Sequence, residues 1–170
     1  DLADVDKRTG EVSGARLRAG TDFNGSKTPF TEGDLLFARM RPSLNNVVIA
    51  QRPHPDLPTQ MCGSSEWVRL APLHDRHFAL VAARSSFVRN QLKSTGGQTR
   101  PRIKADDLPD LLIPDPGIDN RKTIDRIVGA AMKARLDARR QLDAVAALYE
   151  QYGRGEIDER ALSIALSKLS

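Results

Sequence analysis

The fold of this chain is decided by residues 32–50, which read EGDLLFARMRPSLNNVVIA. Apolar side chains at positions 35, 37 and 40 precede Pro42, and a β-branched cluster follows at 47–49. Apolar alternation before a proline and β-branched residues after it are typical of two neighbouring strands. The stretch therefore predicts a β-hairpin or bent strand pair, joined by a tight turn at 42–43.

Strand character continues beyond this pair. Residues 60–63 and 66–70 alternate apolar and polar side chains, which predicts two further strands. Trp67 lies in the second of them, where a core position is favoured over a platform for base stacking. We expect Cys62 to be buried and unreactive, because the sequence places no base beside it.

Two short helices and an extended segment are predicted next. Residues 77–83 are apolar at helical spacing, and Ser85 or Ser86 is suited to cap a second helix over 87–92 by accepting from free backbone N–H groups. Ile103 and the stretch 108–114 predict extended structure that closes the domain.

A change in composition divides the chain near Pro116. The prolines lie at or before this residue, whereas residues 118–152 contain no proline and only Gly129. Because proline interrupts helices, the change predicts a β-rich domain over 1–116 followed by a helical region over 117–170.

The helical region has a heptad pattern. Apolar residues recur every seven places, which predicts one long helix of coiled-coil type over 119–152, with Asp119 or Asn120 as its N-cap. Such a helix would reach roughly 50 Å, so much of it must project or pack on another helix. Residues 157–166 predict a short closing helix that is an alternative cover for the seam. The seam consists of Ile124, Val128, Ala131, Ala138, Leu142, Val145 and Leu148.

Composition and motifs exclude several classes of protein. The 170 residues carry a net charge of +4 and no apolar run of the ~18 residues that a membrane span needs. We therefore expect a cytoplasmic protein without a membrane partner. A single cysteine rules out an internal disulfide, and there is no Cys/His set for zinc. Without a P-loop, a dinucleotide fingerprint or a nucleophile elbow, we expect no catalytic residue, no metal and no cofactor. The carboxylates at 106, 107 and 110 are interpreted as turn charge.

Positive charge is concentrated in one part of the chain. From Arg76 to Lys104 there are seven basic residues and no acidic one, and a Gly-rich loop lies among them. Backbone N–H, amide and guanidinium groups of this kind bind phosphates and base edges. A second basic group surrounds Arg39 and Arg41. The alternative is a solvated basic face, with these two arginines paired to Asp34 or Glu32.

The order of these motifs resembles that of target recognition domains in type I restriction-modification DNA specificity subunits. The resemblance rests on residues 32–47, 62–70, 96–103 and 108–114 and on the helix after them, and it covers 30–150. The chain departs from the family pattern just before the helix, where Pro114-Asp115-Pro116-Gly117-Ile118-Asp119-Asn120 replaces the usual proline pair and acidic-Gln entry.

The resemblance implies an α+β fold, with a β-rich target recognition domain and short helices followed by a long C-terminal spacer helix. Family members usually carry two recognition domains separated by two antiparallel helices, so one domain and one helix would be a half-subunit or a fragment. The implied function is sequence-specific recognition of double-stranded DNA in a system of defence against phage, without catalysis by the chain itself. The implied protein partners are a methyltransferase subunit and a restriction subunit.

Residue roles follow from the same resemblance. The seam of the long helix would be the face for a partner or for a homodimer. A helical protein-protein adaptor without DNA specificity is the alternative function. The candidate DNA contacts are Arg39, Arg41, Asn45, Asn46, Lys93, Gln98, Thr99, Arg100 and Arg102.

Overall fold

The computed structural model describes residues 2–7, 9–12, 25–52, 57–70, 75–92 and 101–169. Small antiparallel sheets, short helices and one long helix confirm the predicted α+β class. The strands are Lys27–Thr31 (β1), Leu35–Ala38 (β2), Val47–Ile49 (β3), Gln60–Ser64 (β4) and Trp67–Leu70 (β5). The α-helices are Arg76–Arg84 (α1), Ser86–Gln91 (α2), Ile118–Gly153 (α3) and Glu159–Ser167 (α4).

Residues 32–50 supply the central strand β2 and the edge strand β3 of a three-stranded antiparallel sheet in the order β3-β2-β5. Leu35 of β2 lies opposite Ile49 on one side and Leu70 on the other. Every residue of β2 and β3 is buried, as expected for strands covered on both faces. The predicted strand pair is therefore confirmed, and β5 completes the sheet.

The predicted tight turn between β2 and β3 is wrong, because the connection that joins these strands is longer. Residues 39–46 join the strands and contain a 3-10 turn at Pro42–Leu44. Arg41 (φ 52°) and Asn45 (φ 58°) flank this turn in the left-handed region of backbone space. The loop is long because Met40 pairs with Arg102 rather than continuing the ladder to β3.

The sequence pattern missed β1, which pairs antiparallel with β4. Pro29 lies in the middle of β1, opposite Cys62, and proline is tolerated there because β1 belongs to a two-stranded sheet without a central position. Cys62 is exposed, so its predicted burial is wrong. Successive residues point to opposite faces, and it is Gly63 that is buried, with room for no side chain beside Trp67 and Phe30.

Alternation gives the central sheet two apolar faces. Trp67 lies on one face of the sheet, in a buried cluster that also includes Val5 of the N-terminal segment. The predicted core position of Trp67 is therefore confirmed. The other members of this cluster are Leu36, Ala38, Val48 and Ala50. The opposite face lies on the side where α1 packs against β3. The three-stranded sheet is therefore held between a helix and the N-terminal segment.

The two predicted short helices are confirmed as α1 and α2. Ser85 ends the first and caps the second, since its Oγ accepts from Val88 N at 3.2 Å. The extended structure predicted for residues 108–114 does not form a strand there, because Pro109 and Pro114 lack the N–H that a ladder requires. The closing pair is instead the bridge between Met40 and Arg102.

Helix α3 begins one residue earlier than predicted. Arg121 N donates to Gly117 O at 3.0 Å, so Gly117 (φ 85°) holds the cap position and Asp119 lies inside the first turn. The predicted N-cap at Asp119 or Asn120 is therefore wrong. The closing helix is confirmed as α4, whose cap Asp158 accepts from Ala161 N at 2.7 Å.

The chain divides into two compact units, Asp1–Val128 and Gly129–Ser170. The first contains the sheets, α1, α2 and the first turns of α3, and the second contains the rest of α3 together with α4. Among the described helices, none combines the length and the apolar character needed to cross a bilayer.

Candidate nucleic-acid interface

Backbone pairing joins the 39–46 loop to the segment 101–103. Arg41 N donates to Pro101 O at 2.8 Å, and Ile103 N donates to Arg39 O at 3.1 Å. Because residue 101 directly follows the Gly-rich loop, the pairing brings one end of that loop to the 39–46 loop. Arg102, which is the described member of the second group of predicted DNA contacts, thus lies beside the first group although the two are far apart in sequence.

Three predicted contacts lie close to this pairing. Arg39 and Arg102 share one carboxylate, because Arg39 Nη2 lies 3.9 Å from Glu66 Oε2 and Arg102 Nη2 lies 2.6 Å from Glu66 Oε1. The Arg102 side chain is 56% exposed, whereas that of Glu66 is only 13% exposed. Arg41 is exposed on the same loop. Three cations and one anion leave this cluster with a surplus of two positive charges.

The two predicted asparagines are less accessible than the arginines. Asn46 is buried at 5% exposure, and Asn45 is half-buried. The side-chain oxygens of both are buried without a hydrogen-bond partner in the described part of the chain. An unpaired buried amide oxygen costs about 1–3 kcal/mol. Contact of Asn46 with a base requires the loop to open.

The remaining predicted contacts cannot be placed in this way. Lys93, Gln98, Thr99 and Arg100 lie outside the described residues.

The predicted alternative pairing of the two loop arginines is wrong. Asp34 pairs with Arg69 at 3.7 Å, and Glu32 pairs with Arg52 at 2.7 Å. Both acids stand before β2, whereas Arg39 follows it. The strand therefore places Arg39 and these acids at opposite ends of the sheet.

Arg84 belongs to the basic stretch but faces inward. Its Nη1 donates to Asn45 O at 3.0 Å and to Val47 O at 2.9 Å, and its Nη2 donates to Lys7 O at 2.8 Å. Burial lowers the pKa of the Arg84 guanidinium from its usual value, Asp6 opposes this shift and Arg89 adds to it.

A second group of polar contacts, centred on Asp125, holds the first turns of α3 against α1 within the first unit. Asp125 Oδ1 accepts from His77 N at 2.7 Å and from Phe78 N at 3.2 Å, while Oδ2 lies 3.2 Å from His77 Nδ1. Arg121 Nε lies 3.7 Å from an Asp75 carboxylate oxygen. Burial raises the pKa of Asp125, but hydrogen bonds from His77 and Phe78 outweigh it and hold the pKa below its usual value.

The predicted seam lies along a helix with no buried residue over its whole described length. Ile124 and Val128, in the first unit, are half-buried, as is Leu148 in the second. Leu142 is 71% exposed and Val145 is 41% exposed, so α4 does not cover them. The other two seam positions, Ala131 and Ala138, are exposed as well.

No metal-binding group of three His, Cys, Asp or Glu side chains occurs within the described ranges. Of the carboxylates predicted to be turn charge, Asp106 and Asp107 lie in a 3-10 turn, Ala105–Asp107, and Asp110 lies in the turn that follows it. Asp107 Oδ2 accepts from Lys104 N at 3.3 Å.

Two residues at this interface escaped sequence analysis, Glu66 and Arg84. Glu66 lies opposite Arg39, because the antiparallel register that pairs Ala38 with Trp67 continues by one residue. The pair would be predictable from the sequence if the register between β2 and β5 were known. Nothing in the sequence distinguishes the inward Arg84 from the other basic residues around it.

Solved structures with similar folds support the predicted resemblance. The HsdS subunit from Thermoanaerobacter tengcongensis superposes with a TM-score of 0.63 at 26% identity, over 88% of this chain and 41% of that one. A protein from a structural study of complex assembly and conformational transition of the type I R-M system gives a TM-score of 0.60 at 22% identity, over 90% of this chain and 41% of that one. The chain thus spans less than half the length of either protein. No family model and no curated protein matches the sequence. The fold is that of type I specificity subunits, which confirms the resemblance at the level of the fold.

Proposed function

We propose that this chain is a specificity module, or half of one, that reads one part of a duplex DNA target for a type I-like restriction-modification complex. In this role it binds DNA through the 39–46 loop and the Gly-rich loop, and it catalyses no reaction itself. A methyltransferase subunit is the proposed protein partner.

The observation that carries the proposal is the pairing of Arg39–Arg41 with residues 101–103. It brings Arg41 and Arg102, both of them exposed, close together at the 39–46 loop. Arginine donates two parallel hydrogen bonds to guanine in the major groove and also binds phosphates. A site of this composition suits a duplex better than a small neutral ligand. The likeness to an HsdS subunit gives independent support.

Selection from a random duplex library, repeated at several salt concentrations, tests the proposal. We expect an enriched sequence and an affinity that falls as the salt concentration rises. The logarithm of the binding constant should fall with the logarithm of the salt concentration with a slope of about −0.9 per neutralised phosphate. No enriched sequence together with a flat salt response would overturn the proposal.

Arg41→Ala localises the contact. The substitution keeps the Cβ and hence the backbone conformation of the loop, and we expect affinity for the enriched sequence to fall about tenfold or one base position to relax. Arg126→Ala, which removes an equal charge from an exposed position of α3, is the matched control. Equal losses for both variants would argue against the 39–46 loop as the contact.

A second candidate function, a helical protein-protein adaptor, is favoured by the exposure of Leu142 and Tyr149 in the second unit. It predicts association through α3 with no DNA affinity. The library selection distinguishes the two functions, because an adaptor enriches no sequence.

A further inference from the structure

We propose that Arg84 is a positioning residue for DNA recognition. It holds the 39–46 loop in the conformation that binds DNA, and it does not contact DNA itself. The inference rests on the proposed function and adds to it a residue that no sequence pattern distinguishes. It also assigns a role to the one described guanidinium of the basic stretch that hydrogen-bonds three backbone carbonyls.

The hydrogen bonds of Arg84 converge on the point where the loop enters β3. Asn45 O and Val47 O, the two acceptors of Nη1, belong to the left-handed residue that ends the 3-10 turn and to the first residue of β3. Asn45 O also accepts from Val47 N at 2.9 Å. Arg84 therefore stabilises the end of the loop that enters β3. The position of this end in turn fixes the positions of Arg39 and Arg41 at the other end of the loop.

The other side of the guanidinium is fixed by the N-terminal segment. Arg84 Nη2 donates to Lys7 O at 2.8 Å. Gly10, at φ 75°, lies so close that a Cβ would stand 2.8 Å from Arg84 Nη1 and 3.2 Å from Val47 O. The Arg84 guanidinium and Val47 O thus occupy the space that a side chain at position 10 would need.

Only arginine satisfies this arrangement. Its planar fork donates in fixed directions to carbonyls on two segments, whereas a lysine ammonium is a compact charge on a flexible stem. Arg84→Lys therefore keeps the charge and loses the geometry. This separates positioning from electrostatic attraction to DNA, which depends on charge alone.

The experiment measures binding of the 170-residue chain to its selected duplex and to a scrambled duplex, across a salt series. For Arg84→Lys we expect about tenfold weaker binding to the selected duplex, with unchanged binding to the scrambled duplex and an unchanged salt slope. Weaker binding to both duplexes, or no change in either, overturns the inference.

Amide hydrogen exchange gives a measurement that does not depend on DNA. Arg84→Lys should speed exchange at the Leu44, Asn45 and Val47 amides, whose hydrogen bonds lie within the loop. Exchange at β1 amides serves as the internal reference for intact folding. If these loop amides stay protected, the inference fails even where DNA binding persists. If they loosen in a chain that selects no duplex, the proposed function fails and the structural role of Arg84 stands.

A second variant reaches the same guanidinium without changing it. Gly10→Ala should displace Arg84 and reproduce both effects of Arg84→Lys. Gly25→Ala is the matched control, because Gly25 has nearly the same φ, 74°, and no atom within 4 Å of an added Cβ. The inference is overturned if Gly25→Ala has the same effects on selected-duplex binding and loop exchange as Gly10→Ala.

Discussion

Arg41 holds a left-handed backbone conformation with its side chain exposed. A side chain with a Cβ costs about 1 kcal/mol or more in that conformation, whereas glycine adopts it freely. Strain that the fold tolerates at an exposed arginine is typical of a residue kept for binding.

This strain predicts that two variants of Arg41 differ in stability but not in DNA binding. Arg41→Gly should be more stable than Arg41→Ala by about 1 kcal/mol, because only glycine relieves the left-handed φ. Both variants should lose the same DNA contact. Denaturant unfolding and duplex binding of the pair check this, and equal unfolding free energies would contradict the strain argument.

Glu66 neutralises part of the positive charge at the interface, since it is shared by Arg39 and Arg102. Glu66→Gln should raise affinity for scrambled duplex by about three- to tenfold and steepen the salt slope, because a guanidinium is freed for phosphate. Preference for the selected sequence should fall, as the arginines lose their anchor.

Glu32→Gln is the control for this prediction. It removes an equal charge from a carboxylate paired with Arg52, at the opposite end of β2. A rise in affinity of similar size there would show that net charge, rather than the Glu66 cluster, sets DNA affinity.

Elements were predictable from sequence where local signals agree. The β-branched cluster of β3, the serine between α1 and α2 and the heptads of α3 each predict an element that the structure contains. β1 was missed because Pro29 argues against a strand unless its edge position is known. The cap of α3 was misplaced because Asp119 is a better capping residue than Gly117, whose left-handed conformation no pattern reveals.

At the site, the sequence predicts the composition of the 39–46 loop but not which of its side chains are accessible. Asn46 has an amide of the kind that pairs with adenine, yet the residue is buried at 5% exposure. The contact between Arg39 and Glu66 depends on strand register, which is a long-range property.

The contacts of Asp125 between α1 and the first turns of α3 predict that the stability of the protein depends on pH. The pKa of Asp125 is lower in the folded chain than its ordinary value near 3.9. The unfolded chain therefore binds the proton first as pH falls. The stabilisation by Asp125 is complete above about pH 4 and is lost as pH falls through the lower, folded pKa.

Asp125→Asn tests this dependence. The variant should melt about 2–4 °C lower than the native chain at pH 6, and the difference should shrink at pH 3. Asp110→Asn, at an exposed position of the 108–114 segment, should show no such convergence. A constant difference in Tm at both pH values would argue against the charge of Asp125 as the cause.

The whole molecule leaves apolar side chains of its second unit in water, which predicts association. We expect light scattering to give twice the monomer mass of 18.7 kDa, and the double variant Leu142→Glu, Val145→Glu to return it to one. Burial of such side chains contributes about 25 cal/mol for each Å² removed from water.

The control for association lowers net charge equally without touching the seam. Lys133→Gln with Arg139→Gln removes two positive charges at polar positions of α3. If this pair dissociates the protein as well, the loss of positive charge rather than the loss of the apolar seam explains the effect.

The Gly-rich loop has two anchored ends. Before it, α2 is pinned by the reciprocal hydrogen bonds of Gln91 with Leu112, both 2.9 Å, and after it Pro101 accepts from Arg41. Between fixed ends, a doubling of loop length costs only about 0.6 kcal/mol of closure entropy. We therefore expect that the sequence and length of residues 93–100 can be changed with little loss of stability in the rest of the first unit, and under the proposed function such changes would alter the DNA target.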